Sequence, residues 1–452
     1  NEGNGKKIWK DYLAGMVEKF KLFPWLGLVV SIRTEYVESL FADNSKLENE
    51  FVKVNHQGFS TLEYDAIKKY FEFYNIQFTD IPFAEQEFRN PLFLRLLCEG
   101  FKNRKIDLSK ISFTDVYSNY LLSINLRTSE ICEYSRHINI VEKVINEMVS
   151  YKHNAGVGNN FIPLSSAVEI IIDIERKYNI KNSLIDELLS NGVITQNTNY
   201  NNEEGVYVTY EKLDDYLYAK LLATELDDIG IDKFHTKYQK ILGYGDILEA
   251  LAIVLSENAK YELFEIFEEE KSNSGIIRGF CNSLKWIKPD TVSQNTIDYI
   301  NNVVLRSQIG FERLFDVLLL ISSKVGHSLN AERTVEYFLN FPMPDRDATF
   351  IPLFDEFYFE EGSSINRLLD WCLSKKSNEN TLDGTVRLTA IMVASFLISS
   401  NNTLRDKTTK ALVKLLSGRI DILISVLEKY KNVDDPYIIE RLYAVAFGCI
   451  VS

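Results

Sequence analysis

Two short apolar runs govern how the middle of this chain is interpreted: Gly192-Val193-Ile194 and Gly205-Val206-Tyr207-Val208-Thr209-Tyr210. A loop rich in Asn and Glu separates them, and helical patterns flank them at Leu184 to Leu189 and Leu213 to Leu222. Apolar runs of this length joined by a polar loop are typical of a β-hairpin. The order helix, strand, turn, strand predicts the wing half of a winged helix.

Upstream of this hairpin, the sequence predicts a helix and then buried strands. Ile8 to Phe23 carries apolar residues at steps of three and four, the spacing of a helix with one buried face. Trp25 to Arg33 is an apolar run that ends in Ser and Arg, and it suits a central parallel strand buried on both faces. Phe51 to Val54 is the candidate for a second strand. Together these segments predict part of an α/β core.

Helical patterns fill most of the remaining chain. Ser60-Thr61-Leu62-Glu63 resembles a capping box that opens a helix over Tyr64 to Tyr74. Pro91 predicts the start of a further helix over Leu92 to Phe101. From Asp232 to Ser452, amphipathic helices of about ten to twenty residues follow one another without a strict period. This pattern predicts an α-helical solenoid of the HEAT or TPR type.

Composition favours a mainly α protein. The 452 residues include 28 Phe and 24 Tyr but only 9 Pro and 21 Gly, so apolar surface is plentiful and turn residues are scarce. The net charge of -14, with no block of Lys and Arg, argues against a nucleic-acid-binding surface. No apolar run reaches the roughly 20 residues of a membrane-spanning helix, and no signal-peptide pattern opens the chain. We therefore expect a cytoplasmic protein without membrane contact.

Metal and nucleophilic chemistry are not indicated by the sequence. The five cysteines lie far apart, without the CxxC pairs of a zinc site. The five histidines are scattered as well, with no Cys or Ser partner at a spacing that would suggest catalysis. Buried thiols and isolated histidines are the expectation.

Four local patterns resemble, in the same order, the STAND superfamily of regulatory NTPases. Asn1-Glu2-Gly3 looks like the end of the stretch that follows their Walker B strand, and Leu28 to Arg33 resembles their next core strand. Phe88-Arg89-Asn90-Pro91-Leu92-Phe93-Leu94 resembles the proline motif of their helical lid. Leu188 to Ala219 resembles their winged helix. The resemblance implies a chain that begins just after Walker B.

Three segments of the predicted solenoid extend the resemblance to the bacterial antiviral Avs proteins of this superfamily. They are Met343 to Asp347, Leu404 to Leu412 and Val433 to Tyr443. The resemblance implies four parts: the end of the NTPase α/β core (1–58), a helical lid (59–108), a winged-helix domain (109–228) and an α-helical sensor region (229–452).

The resemblance assigns four residues to a nucleotide site. Glu2 would orient the attacking water, and Arg33 would stabilise negative charge on the γ-phosphate. Pro91 would pack on the adenine. Where related switch proteins carry a His-Asp pair that reaches the β-phosphate of bound ADP, this chain has Tyr210-Glu211, which leaves Tyr210 as the candidate sensor.

Each of these residues also has a purely structural interpretation. Glu2 would be a frayed terminal residue, and Arg33 would pair with a nearby carboxylate such as Glu35. Pro91 would simply begin a helix, a position that suits proline without any ligand. Tyr210 would be a strand residue packed in the winged-helix core.

Opposite charges stand close together near several helix starts in the C-terminal half. The segments concerned are Asp345-Arg346-Asp347, Arg405-Asp406, Asp434-Asp435 and Glu440-Arg441. Ion pairs between repeats, together with helix N-caps, account for them without a ligand. Contact with a neighbouring subunit or a partner is the alternative.

The function implied by the resemblance is a signal-transducing ATPase in antiphage defence. A phage protein of the terminase or portal type would bind the helical repeats. Binding of ATP in place of ADP, with Mg²⁺, and self-oligomerisation would then activate an effector outside this chain, such as a nuclease. The Gly-rich phosphate loop does not occur in this sequence and the Walker B Asp would precede Asn1, so this piece alone is not expected to hydrolyse ATP. The alternative is a non-catalytic helical scaffold or adaptor without nucleotide function.

Overall fold

The computed structural model describes residues 5–31, 49–55, 58–59, 62–79, 82, 86–156, 160–199, 203–258, 260–374 and 381–451. The described chain is mainly helical, as its composition predicts. The helices are α1 (Gly5–Lys21), α2 (Glu63–Phe73), α3 (Pro91–Gly100), α4 (Phe113–Ile131), α5 (Ile140–Ala155), α6 (Leu164–Tyr178), α7 (Leu184–Ser190), α8 (Glu211–Ile229), α9 (Ile231–Tyr238), α10 (Gly245–Asn258), α11 (Leu263–Ile266), α12 (Ser274–Ser283), α13 (Gln294–Asn302), α14 (Gln308–Ile321), α15 (Ala331–Leu339), α16 (Met343–Phe359), α17 (Ser364–Leu373), α18 (Asp383–Ala394), α19 (Asn402–Leu416), α20 (Ile420–Tyr430) and α21 (Pro436–Val451).

Short strands form two small sheets. β1 (Gln77–Phe78) pairs in parallel with β2 (Lys105–Ile106). The second sheet is antiparallel, with the order β3-β5-β4, and consists of β3 (Ile162–Pro163), β4 (Ile194–Thr198) and β5 (Glu204–Val208). β4 and β5 form the hairpin that the two apolar runs predict.

The chain divides into two compact units, each made of two stretches of sequence. Unit 1 comprises Asn1–Gln57 and Ile124–Glu211, and unit 2 comprises Gly58–Ser123 and Lys212–Ser452. The residues of α4 are shared between the two units, and α8 begins at their boundary. The four-part division implied by the resemblance stays a prediction.

After α1 and the second part of α4, unit 1 contains the elements α5, β3, α6, α7, β4 and β5 in that order. The apolar faces of α5 and α6 pack together and against the sheet, because their buried residues recur at helical spacing. The core residues from these elements are Ile140, Val141, Val144, Ile145, Met148, Ile162, Ala167, Ile171, Leu184, Leu188, Val193, Ile194, Val206 and Val208. The sheet is therefore covered by helices on its apolar face.

Unit 2 joins α2 and α3 to a succession of helices over residues 212–451, here called the helical array. Neighbours in space are mostly helices that are not adjacent in sequence: α10 packs on α12, α12 on α14, α17 on α19 and α19 on α21. An extended apolar cluster joins α14 through α21. The mainly helical character of residues 212–451 is thus confirmed, and a solenoid of the HEAT or TPR type stays a prediction.

The strand predicted at Trp25 to Arg33 is wrong over the residues that the structure describes. Residues 22–31 form turns and an irregular segment, in which Trp25 is 76% exposed and Val29 is 94% exposed. The second candidate strand, Phe51 to Val54, is irregular as well. A central parallel strand needs a hydrogen-bonded strand on each side, and the parallel pairing in the described chain is that of β1 with β2 in unit 2. Residues 25–31 and 51–54 therefore contribute no strand to an α/β core.

The helix predictions are confirmed with small shifts of their ends. α1, α2 and α3 coincide with the helices predicted from apolar spacing and from Pro91. Within the described ranges, none of the helices combines the length and apolar character that crossing a bilayer requires.

Candidate functional site

The proline motif forms a tight junction between a 3-10 turn, Gln86–Arg89, and α3. Asn90 has an extended backbone, and its Oδ1 accepts hydrogen bonds from the backbone N–H groups of Leu92 (2.9 Å) and Phe93 (3.5 Å). Pro91 is the first helical residue, where the absence of an N–H leaves no hydrogen bond unmade. Asn90 and Pro91 together determine where α3 begins.

Arg89 links this junction to α2 and to the loop before α17. Its Nε donates to Glu63 Oε2 at 2.9 Å, and its Nη2 donates to the carbonyl of Gly362 at 2.8 Å. The other oxygen of Glu63 accepts a hydrogen bond from Arg367 in α17. The exposed fraction is 23% for the Arg89 side chain, 10% for Glu63 and 9% for Arg367. Such a cluster resists rearrangement, because separating one pair leaves a charge that is neither solvated nor compensated.

Two glycines allow the chain to approach Arg89 this closely. Gly362 has a φ of +74, and a Cβ there would lie 2.7 Å from Arg89 Nη2. Gly58 has a φ of +65, and a Cβ there would lie 2.1 Å from the Arg89 carbonyl oxygen. That carbonyl accepts a hydrogen bond from the N–H of Phe59 at 2.8 Å. Only glycine satisfies both the positive φ and the close contact at these positions.

Glu87 joins the same turn to the beginning of the helical array. It forms an ion pair with Lys212 in the first turn of α8 and lies 4.0 Å from Lys285 Nζ. Glu249 of α10 completes this cluster, at 3.7 Å from Lys212 and 4.0 Å from Lys285. Burial by itself would raise the pKa of Glu87, but the charges of Lys285 and Lys212 outweigh it and lower that pKa to about 2. Glu87 is therefore ionised at neutral pH.

Aromatic packing surrounds the junction on its buried side. Phe88 and Phe93 meet edge to face at 5.6 Å, and Phe93 lies 5.6 Å from Trp286. Trp286 is in turn 5.0 Å from Phe113. These rings bury a large apolar area between the motif and the array. The proline motif is thus held by ion pairs of Glu87 and Arg89 on the N-terminal side of Pro91 and by the packing of Phe88 and Phe93.

A second Asx-Pro helix start occurs in the array and matches the first closely. Asp435 Oδ1 accepts hydrogen bonds from the N–H groups of Tyr437 (2.9 Å) and Ile438 (3.4 Å), and Pro436 is the first residue of α21. The local geometry around Pro91 therefore follows from helix capping alone. Packing of Pro91 on an adenine stays a prediction.

Tyr210 belongs to unit 1, whereas Pro91 belongs to unit 2. Tyr210 lies two residues beyond the end of β5 and immediately before α8, and it is 7% exposed. It is therefore buried next to the hairpin rather than within a strand. Burial of the ring agrees with the core-packing interpretation, and a role in nucleotide sensing stays a prediction.

The other two predicted site residues, Glu2 and Arg33, lie outside the described residues. In the described part of the chain, no group of three or more His, Cys, Asp or Glu side chains has the arrangement of a metal site. Burial raises the pKa of the Cys281 thiol to about 12, and burial together with the charge of Lys324 lowers the pKa of His327 to about 4. Both groups are thus neutral at pH 7 and poorly suited to nucleophilic or acid-base work.

The charged segments of the array form the ion pairs and caps that the sequence predicts. Arg346, which is fully buried, donates to Asp434 at 2.7 Å and to the carbonyl of Phe341 at 3.0 Å. Arg441 of α21 pairs with Asp406 of α19 at 2.8 Å. These two pairs are of the kind that the structural interpretation predicts, and contact with a neighbouring subunit or a partner stays a prediction.

Sequence reasoning missed the residues that hold the proline motif in place. Glu63 was expected to cap its own helix, but its carboxylate pairs with Arg89 and Arg367 instead. Glu87 and Lys212 stand 125 positions apart, and no local pattern indicates their pairing. The one available signal was the density of charge before Pro91, where Glu87 and Arg89 stand on either side of Phe88.

Comparisons with protein-family models, with curated proteins and with solved structures find no match to this chain.

Proposed function

We propose that this chain is part of a signal-transducing STAND ATPase of the antiviral kind, in which the helical array senses a phage protein and the lid responds. The observation that carries the proposal is the Glu63–Arg89–Arg367 cluster, which connects the proline motif to α17 of the array. A displacement of α17 would pull directly on Arg89, two residues before Pro91. Coupling between two sites requires such a chain of physically connected groups.

The order of elements in unit 1 supports the winged-helix part of the proposal. A helix, a short strand, two helices and a hairpin, with the first strand next to the last, is the arrangement that a winged helix adopts. Its hairpin lies close in sequence to Tyr210, the candidate nucleotide sensor. In this proposal the winged helix and the lid hold a closed state until a partner shifts the population.

The helical array supports the sensor part of the proposal. Helices that pack two places apart along the sequence build extended surfaces suited to binding other proteins. The trigger in this proposal is a phage terminase or portal protein, and the response is ATP binding with Mg²⁺, self-oligomerisation and activation of an effector such as a nuclease. The phosphate loop and the metal-binding Asp would come from upstream of Asn1.

The test uses the two matched prolines in the natural full-length protein. ATP and ADP affinities are measured by calorimetry for the wild type, Pro91→Ala and Pro436→Ala, and thermal melting confirms that both variants fold. Loss of the adenine contact should weaken nucleotide binding about fivefold in Pro91→Ala, since a few apolar contacts are removed. Pro436→Ala should bind as the wild type does. If the full-length protein binds no nucleotide, the chain is better explained as a helical scaffold or adaptor.

A further inference from the structure

A cavity of about 330 Å³ opens within the helical array of unit 2. It lies among α13, α14 and α15, and its floor reaches Phe350 of α16 and Met392 of α18. Small-molecule sites in proteins are concave and have volumes from about 300 to 1,000 Å³. The volume of this cavity therefore suits a small molecule.

The interior of the cavity is apolar and aromatic. Phe338 and Phe350 are buried and lie 5.0 Å apart, and Phe311 and Phe315 approach Phe350 at 5.9 Å and 6.0 Å. The two buried hydroxyls of the wall have partners: Ser395 Oγ donates to the carbonyl of Met392 at 2.7 Å, and Thr334 Oγ1 donates to the carbonyl of Leu329 at 3.3 Å. The buried part of the lining is thus apolar, and the part of a ligand that enters it must be apolar.

Charge is confined to exposed side chains of the lining. Arg333 and Glu336 stand one helical turn apart on α15, and both are exposed. Arg333 has neither an ion pair nor a hydrogen bond with any residue that the structure describes. A guanidinium at the mouth of an apolar cavity is well placed to bind a carboxylate. Glu336 would repel the same anion, so Arg333 should raise the affinity for a carboxylate and Glu336 should lower it.

We propose that this cavity binds a small amphipathic carboxylate, with its apolar body inside and its carboxylate on Arg333. A cavity of about 150 Å³ accommodates one benzene ring, so the present volume suits a body of about two rings or a medium-length alkyl chain. The site is separate from the nucleotide function and does not depend on it.

The test measures binding to the 452-residue chain by calorimetry. The probes are 2-naphthoate and decanoate, with 2-naphthylmethanol as the neutral analogue and 2-naphthylmethylamine as the cation. One saturable site is expected, with affinity falling from the anion to the neutral compound to the cation. Arg333→Gln should weaken 2-naphthoate about three- to tenfold and leave the alcohol unchanged. Glu336→Gln should strengthen 2-naphthoate.

Two further variants make the result specific to the cavity. Leu318→Trp places an indole in the space from a half-buried lining position and should abolish binding of both carboxylates. Arg306→Gln removes an exposed arginine that does not line the cavity and should change nothing. The proposal is overturned if neither carboxylate binds saturably, if all head groups bind alike, or if Leu318→Trp leaves binding intact.

Discussion

Arg89 Nε and Glu63 Oε2 lie 2.9 Å apart, although the two residues are separated by 26 positions. The same carboxylate pairs with Arg367, which is 304 positions away. One buried glutamate thus joins the turn before Pro91 to helix α17 of the array. Arg89 also reaches the loop before α17 directly, because its Nη2 donates a hydrogen bond to the carbonyl of Gly362 at 2.8 Å.

Replacing the Glu63 carboxylate should destabilise the protein more than replacing a carboxylate of an exposed ion pair. Glu63→Gln leaves Arg89 and Arg367 close together without a counter-charge, and we expect the free energy of unfolding to fall by about 3 kcal/mol. Urea denaturation measures the change. The control is Glu428→Gln, whose ion pair with Lys431 is 61% and 58% exposed, so its loss should cost less than about 0.5 kcal/mol. Equal losses for the two variants would contradict a special role for Glu63.

The buried Glu87 should make stability depend on pH in a defined window. Its pKa is about 2 in the folded protein against 4.5 as the ordinary value. Because the folded pKa is the lower one, the contribution of Glu87 is complete above pH 4.5 and is lost as the pH falls towards 2. The difference between the two pKa values limits the contribution of Glu87 to the free energy of unfolding to about 3 kcal/mol.

Glu87→Gln should remove this dependence. The difference in unfolding free energy between wild type and variant should be largest at neutral pH and should shrink steadily between pH 4.5 and pH 2. Denaturation series at several pH values measure it. A difference that stays constant over this range would mean that the Lys285 and Lys212 charges do not act on Glu87 as the geometry indicates.

Removal of the Tyr210 hydroxyl distinguishes a core-packing role of this residue from a nucleotide-sensing role. Tyr210→Phe keeps the buried ring, so the stability of the protein should change by only about 1 kcal/mol. If the hydroxyl senses the nucleotide, ADP affinity in the full-length protein should fall about two- to tenfold. Tyr207→Phe is the control, since Tyr207 lies in the adjacent strand β5 and its ring packs on Phe161 at 5.7 Å. An unchanged ADP affinity in Tyr210→Phe would leave only the core-packing role.

The spacing of apolar residues predicts α1 and α3 correctly, but the apolar run from Trp25 does not form the strand that it predicts. α1 and α3 follow from apolar residues at steps of three and four and from a proline at a helix start, both of which act locally. The run from Trp25 is equally apolar, but a strand exists only if other strands pair with it. Its apolar character therefore could not decide between a buried strand and the exposed segment that residues 25–31 form.

Charged residues near helix starts predict an ion pair correctly where both partners lie near a helix start. Arg346 and Asp434 both belong to segments recognised from the sequence, and they form a pair of 2.7 Å. The pairing of Glu63 with Arg367 had no such signal, because Arg367 stands in the middle of an ordinary amphipathic pattern. Long-range partners depend on how the helices stack, and the stacking is set by shape complementarity of many side chains.

ATP turnover by the natural full-length protein, with and without lysate of phage-infected cells, tests the proposed ATPase function. Wild type is compared with Arg33→Ala and with Arg136→Ala, an exposed arginine of unit 1 that serves as the charge control. We expect infected lysate to raise turnover and oligomer mass. Arg33→Ala should abolish the rise while the protein stays folded, and Arg136→Ala should not. Absence of nucleotide binding and turnover under all these conditions would contradict the proposed ATPase function and favour a helical scaffold.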